Sequence, residues 1–174
     1  MFVLSKCFLK FFKKLYSIYK ILNYKLIYGN RVMFGKKSSF LRGFKLIIDR
    51  EGYISIGNNT FFNYNCSISC LGRVEIGSYS IFGENVKIYD HNHKFNESNK
   101  IAIKDQDFKI GSVMIGSNCW IGSNVTILNN VKIGDNVVVG ANCLIYKDIP
   151  SNTIVKNKTE LIMSTITYKN TNEI

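Results

Sequence analysis

The 174-residue chain holds two histidines, His91 and His93, in the run YDHNHKFN, with Asp90 directly before them. An imidazole titrates near neutral pH, so it can act as a general base toward a hydroxyl. A neighbouring carboxylate can orient such a ring, or can simply cap a turn. The same His-x-His could offer ligands to a metal ion if Asp90 or another subunit completed the set. On this stretch of sequence alone, two solvated loop histidines are the better-supported reading.

What positions these residues is a repeat. Ile115, Ile121, Ile127, Ile133, Val139 and Ile145 stand six apart without interruption, and the register recurs at Ile76, Phe82 and Ile88 and at Ile56, Phe62 and Ile68. Gly follows the anchor at Gly57, Gly77, Gly83, Gly116, Gly122, Gly134 and Gly140. Asn stands three after it, as at Asn59, Asn65, Asn118 and Asn136, and a small or branched residue four after it, as at Thr60, Cys66, Ser80, Cys119 and Cys143. Period six fits neither a helix nor a flat strand. Short strands joined by tight corners do fit, with Asn and Gly taking left-handed backbone at the corners. The branched anchors then stack inward, coil upon coil. The register stops after Ile88 and resumes at Ile115, a gap that is not a multiple of six, so a loop carrying both histidines leaves the solenoid. The five cysteines are odd in number and lack Cys-x-x-Cys spacing, which argues against a disulfide framework or a zinc knuckle. Cys66, Cys119 and Cys143 read as small buried hydrophobes.

Charge divides the chain. It carries 23 Lys+Arg against 12 Asp+Glu, and eleven of the basic residues, with no acidic one, precede Asp49. The net +11 therefore belongs to the first 48 residues, and the remainder is neutral. Hydrophobic content of 46% excludes a disordered chain. No apolar run reaches the ~18 to 20 residues of a membrane span or forms a secretory segment, so the expected location is the cytoplasm. Lys6, Lys10, Lys13, Lys14, Lys20 and Lys25 fall within one helical arc of ~140°, opposite Phe8, Phe11, Phe12, Leu15, Ile18, Tyr19 and Leu22. Two readings of this amphipathic helix stand equally. It packs its apolar side on its own body or a neighbouring subunit, or residues 1–28 make peripheral contact with anionic lipid at the inner face of the membrane. A lysine stripe without base-reading groups argues against nucleic acid.

The repeat resembles the hexapeptide-repeat acyltransferases over roughly Ile56 to Pro150. The segment Met114–Asp148, MIGSNCWIGSNVTILNNVKIGDNVVVGANCLIYKD, is similar to the maltose and galactoside O-acetyltransferase branch, which capsule and O-antigen O-acetyltransferases share. That resemblance implies an all-β solenoid, a left-handed parallel β-helix with an extruded loop and an N-terminal amphipathic α-helix. Its expected divisions are a helical arm over 1–34, a β-helix domain over 35–155 with the loop at 90–112, and a tail over 156–174.

The resemblance also implies a function. An acetyl group would pass from acetyl-CoA to a sugar hydroxyl of a surface polysaccharide or its lipid-linked precursor, without a metal, in a homotrimer whose neighbours complete each pocket. The family's catalytic histidine lies eight residues after an Asn-Val pair, and Asn85-Val86 precedes His93 by that spacing. His93 is thus preferred over His91 as general base, with Asp90 as the third catalytic candidate. The hydroxyl would attack the thioester directly, since no Ser or Cys nucleophile is evident. A backbone N–H near Ser123 would hold the oxyanion. Asn63 and Asn85 fall on the acceptor side; Ser123 and Ala141 line the CoA arm; Lys147 lies near the CoA phosphates, where its charge suits; Trp120 stands beside the site. Two departures stand out. A sugar-holding carboxylate of the galactoside enzyme is Leu71 here, which speaks against a simple galactoside acceptor, and VKNKTELIM replaces the Gly-Asn-Pro-Ala-like loop beyond Pro150. Two other readings are a metal-dependent β-helix like the γ-type carbonic anhydrases, which need three histidine ligands, and a catalytically silent scaffold.

Overall fold

The structure, a computed structural model, describes residues 2–98, 100–158 and 163–165, and for 2–10 the backbone only. Lys6, Phe8 and Lys10, and most of the expected tail, therefore lie outside the described side chains. Helix α1 spans Phe2–Tyr28. A parallel β-solenoid of about six turns follows it.

Each turn visits three faces in order. The first face stacks Val32–Phe34, Tyr53–Ile56, Arg73–Ile76, Ser112–Ile115 and Val131–Ile133. The second stacks Ser39–Phe40, Phe61–Phe62, Ile81–Phe82, Trp120–Ile121, Val138–Val139 and Ile154–Val155. The third stacks Lys45–Ile48, Ser67–Cys70, Lys87–Tyr89, Thr126–Ile127 and Leu144–Ile145. Both repeat positions expected to face inward do so: the anchors from Ile56 to Ile145 and the residues four after them, Thr60 to Cys143, are all buried. Cys66, Cys70, Cys119 and Cys143 are free and buried. Burial pushes the Cys66 thiol up to about 11, which keeps it an inert core group.

The corners show what Asn and Gly each do. Asn59, Asn65, Asn85, Asn118, Asn124, Asn130, Asn136, Asn142 and Asn152 all take left-handed backbone, with φ between 54° and 61°. Asn118 Nδ2 donates to Asn136 Oδ1 at 2.8 Å, and Asn136 Nδ2 to Asn152 Oδ1 at 3.1 Å, so the amides zip adjacent coils together. The glycines after the anchors differ from expectation, because their φ values are not left-handed. They are needed for close approach: a Cβ at Gly57 would stand 2.6 Å from the backbone of Gly77, and one at Gly116 2.6 Å from that of Gly134.

The solenoid's first coil precedes the repeat visible in the sequence. It holds Phe40 and Phe44 inside; Phe62, Phe82, Ile121 and Val139 continue the first position in later coils, and the smaller Cys66 and Val86 continue the second. Phe40 and Phe44 stack at 4.2 Å, and Phe62 and Phe82 at 4.3 Å, in one aromatic column. Helix α1 lies over this end and meets the edge of the first coil with side chains. Ser17 Oγ donates to Phe40 O at 3.2 Å and accepts from Phe40 N at 3.0 Å. Tyr24 OH donates to Phe44 O at 3.1 Å and accepts from Leu46 N at 3.2 Å. Tyr28 OH donates to Leu46 O at 3.3 Å. The packing expected for the arm thus occurs with its faces exchanged. The helix docks through Ser17, Tyr24, Tyr28 and Ile21, while Phe11, Leu15, Tyr19 and Leu22 point outward.

Tyr24→Phe should strand both Phe44 O and Leu46 N and lower stability by about 1–3 kcal/mol, read as a reduced Tm. Burial pushes the Tyr24 phenol up to about 12. Its stabilisation is complete below the ordinary phenol value of 10 and is lost as pH rises from there toward 12. The alkaline fall in Tm should therefore be shallower in Tyr24→Phe than in the wild type.

Candidate functional site

The loop that leaves the wall after Tyr89 is a hairpin. His91–His93 pairs antiparallel with Phe108–Ile110, and Gly111 N donates to Asp90 O at 2.7 Å where the chain rejoins the solenoid. Beyond the hairpin the loop is tied by buried Gln106. Its amide donates to Ser98 O at 3.2 Å and Ile101 O at 3.0 Å and accepts from Glu97 N at 3.0 Å.

Asp90 is fully buried and serves both roles left open above. Its carboxylate accepts from Leu71 N at 2.9 Å and Gly72 N at 2.8 Å, joining the loop base to the coil below. It also stands 2.8 Å from His91 Nδ1. The ring it orients is therefore His91. Burial, with the Asp90 carboxylate beside it, pushes the Cys70 thiol above its ordinary range. His93 is exposed, and among the described residues no hydrogen bond occupies its ring nitrogens. Its ring rests on Phe108 at 4.4 Å, and His91 meets the edge of the same ring at 5.4 Å. Arg50 lies over Phe108 at 5.2 Å and pairs with Asp107 at 2.7 Å. Asn92 Nδ2 donates to Asn129 Oδ1 at 3.0 Å, which holds the hairpin against the next coil. Phe108 and Arg50 escaped the sequence reading because neither belongs to the repeat and their contact with the histidines depends on the hairpin register.

The other candidates divide between two corners. Asn63, Asn85, Ser123 and Ala141 lie on the ridge between the second and third faces. There Asn85 N donates to Tyr64 O at 2.9 Å, Glu84 N to Ser123 Oγ at 3.2 Å, and Asn142 N to Ser123 O at 2.9 Å. Asn85 also has a corner task, since its Nδ2 donates to Asn124 Oδ1 at 3.1 Å. Asp90, His91, His93 and Lys147 belong to the corner between the third and first faces, where Lys132 N donates to Asp148 Oδ1 at 2.7 Å. Five residues of extended chain, about 16 Å, separate Asn85 from Asp90 along one strand. One chain therefore does not bring His93 to the asparagine ridge. Lys147 borders a cleft of about 310 Å³ that reaches Asn157, whose amide donates to Asn142 O at 2.6 Å on the opposite ridge. Trp120 projects from the second face between Ile81 and Val138. Among the described residues no three His, Cys, Asp or Glu side chains are grouped to hold a metal ion.

Comparison with known proteins agrees with the resemblance read from the repeat. Residues 112–147 match the family model of the bacterial transferase hexapeptide, six repeats. The chain is similar to a hexapeptide-repeat acetyltransferase of Vibrio cholerae O1 biovar eltor solved with acetyl coenzyme A. That match has 27% identity, covers 70% of this chain and 64% of that one, and has a TM-score of 0.61. A maltose O-acetyltransferase of Clostridium difficile 630 matches at 33% identity, over 70% of this chain and 63% of that one, with a TM-score of 0.58. A galactoside acetyltransferase in complex with coenzyme A matches at 30% identity, over 65% and 60%, with a TM-score of 0.55. This chain spans less than two thirds of the length of each of these three proteins.

Asp90→Ala should loosen the hairpin base, because Leu71 N and Gly72 N lose their acceptor at ~1–3 kcal/mol for each stranded donor. Faster amide exchange at Leu71 and Gly72 with a lowered Tm would show it. Asp90→Asn, which keeps one acceptor oxygen, should do less.

Proposed function

We propose that this chain is a CoA-dependent O-acetyltransferase acting on a sugar hydroxyl of a surface polysaccharide or its lipid-linked precursor, with His93 as general base. The observation that carries this reading is the division of labour on the hairpin. Asp90 engages His91, while His93 is presented on the Phe108 ring with its nitrogens open to a substrate. His93 takes the proton from the acceptor hydroxyl as its oxygen attacks the thioester carbonyl. The tetrahedral oxyanion is held by a backbone N–H near Ser123. The C–S bond then breaks, the CoA sulfur leaves with the proton His93 gained, and the sugar keeps the acetyl group. Asn63 and Asn85 face the acceptor, Ser123, Ala141 and Trp120 the CoA arm, and Lys147 its phosphates.

The two corners meet in this scheme only between copies of the chain, so the working unit is an oligomer, and the resemblance to the hexapeptide-repeat family makes it a homotrimer. The second face supports such packing. Its outward positions form an apolar ladder of Phe61, Ile81, Trp120, Val138 and Ile154, paired coil to coil. The first face instead mixes Met33 and Met114 with Tyr53, Ser55, Arg73, Glu75 and Lys132.

His93→Ala should reduce acetyl transfer by ~10² to 10⁴ while leaving the fold intact, and His91→Ala should cost less. The reverse order in a thiol-release assay with a glycan acceptor would move the base to His91. Lys147→Glu should raise the apparent KM for acetyl-CoA more than that for the acceptor, and the effect should shrink as salt rises. Light scattering should give a trimeric mass; a monomer with full activity would rule out the shared site.

A further inference from the structure

We infer that the outer face of α1 is a docking surface for an anionic lipid bilayer. The face is apolar and turned away from the protein. Phe11, Leu15, Tyr19, Leu22 and Leu26 project along one side at about 100° per residue, and Tyr19, Leu22 and Leu26 are 63%, 62% and 85% exposed. The helix cannot roll to hide them, because Ser17, Tyr24 and Tyr28 on its other side are bonded to the edge of the first coil. A rigid body therefore carries an exposed apolar helix face, which marks an interaction surface.

Charge identifies the occupant. Residues 1–48 hold eleven Lys and Arg and no acidic side chain, so this end of the molecule is strongly basic, with Asp49 and Glu51 following only at the corner that closes the first coil. A second copy seated there would place one such end against another, and the repulsion opposes it. Lys14 and Lys25 border one edge of the apolar stripe, at angles from which their long stems can reach the headgroup layer. Beside the helix, a cleft of about 600 Å³ is rimmed by Lys13, Lys14 and Lys37 over Ile21, Phe40 and Leu41. Cations above an apolar floor suit a phosphate headgroup and the start of its acyl chains. A continuous apolar stripe with a basic edge suits a helix lying in the interface of an anionic bilayer. No described helix is long and apolar enough to cross a membrane.

The docking does not depend on the proposed reaction. It adds to that reading a substrate held at the lipid surface, because the ridge bearing Asn63 and Asn85 rises from the capped coil at about 4.8 Å per turn.

The test is flotation of the full-length protein with vesicles of phosphatidylcholine mixed with phosphatidylglycerol, without acetyl-CoA or acceptor, so that failure of the enzymatic reading leaves it unaffected. The wild type should float with anionic vesicles, bind pure phosphatidylcholine at least about tenfold more weakly, and release as salt rises. Leu15→Glu/Leu22→Glu changes only exposed positions and should release the protein with its circular dichroism and mass unaltered. Lys14→Glu/Lys25→Glu should weaken binding by a similar factor. Wild-type protein that ignores anionic vesicles at low salt overturns the inference. So does a Leu15→Glu/Leu22→Glu variant that still floats, or one whose oligomeric mass falls, since the face would then join copies of the chain.

Discussion

A solenoid of short strands satisfies its backbone only through the coil above and the coil below, so its first edge is the place where the architecture fails unless something meets it. Here the partner is a helix, whose own backbone is already paired, and the bonds come from its side chains. Ser17 acts on both polar groups of Phe40, Tyr24 bridges Phe44 and Leu46, and Tyr28 takes a third carbonyl. Hydroxyls suit the task because each can donate and accept at once. This fixes which side of α1 faces the body and leaves the apolar side outward, so the most unusual surface of the molecule is a consequence of how its core is closed.

The same dependence between coils explains what the sequence displayed and what it hid. Inward positions were legible from Ile56 to Ile145 because every coil there repeats the same geometry, filled by Ile, Val or Phe at the anchor and by a small or branched residue four positions on. The first coil was illegible because it differs in kind. It is bounded by a helix on one side, Phe44 stands where the next coils hold Cys66 and Val86, and Lys37, Gly43 and Arg50 take left-handed corners of the kind that Asn marks in most later coils. The orientation of α1 was hidden for a related reason. An amphipathic pattern reports two faces but not which one a protein uses, and polar hydroxyls that complete a strand edge do not register as a packing face. Glycine was legible in position and not in cause, since crowding by the neighbouring coil selects it as strongly as left-handed backbone would.

At the histidine loop, spacing separated His93 from His91 only through resemblance to a family, and the structure supplies a physical distinction of its own. Asp90 sits where the loop leaves the wall, and the departure strands two amides of the coil below, on Leu71 and Gly72. A carboxylate that accepts from both is held rigidly, and the imidazole next to it in sequence becomes part of the anchor. His91 is thereby tied to the fold, and the ring two residues on projects from the same face of the strand without that tie. The pairing partner of His93 is Phe108, which no repeat or motif announces.

Division of the polar groups between two corners carries the last step. A triangular coil holds its corners apart by the length of a strand, and the rigidity that makes the wall stable also prevents it from folding one corner onto another. Chemistry that needs both a histidine corner and an asparagine ridge must then be assembled from two walls set side by side. The apolar ladder on the second face gives such walls a surface to share, and side-by-side walls with parallel axes bring their basic ends together. Repulsion among those ends grows with each copy added, and a surface of opposite charge beneath them relieves it. In the proposed assembly, packing through the second face and attraction of the capped end to an anionic layer would reinforce each other, although they use different faces and different residues.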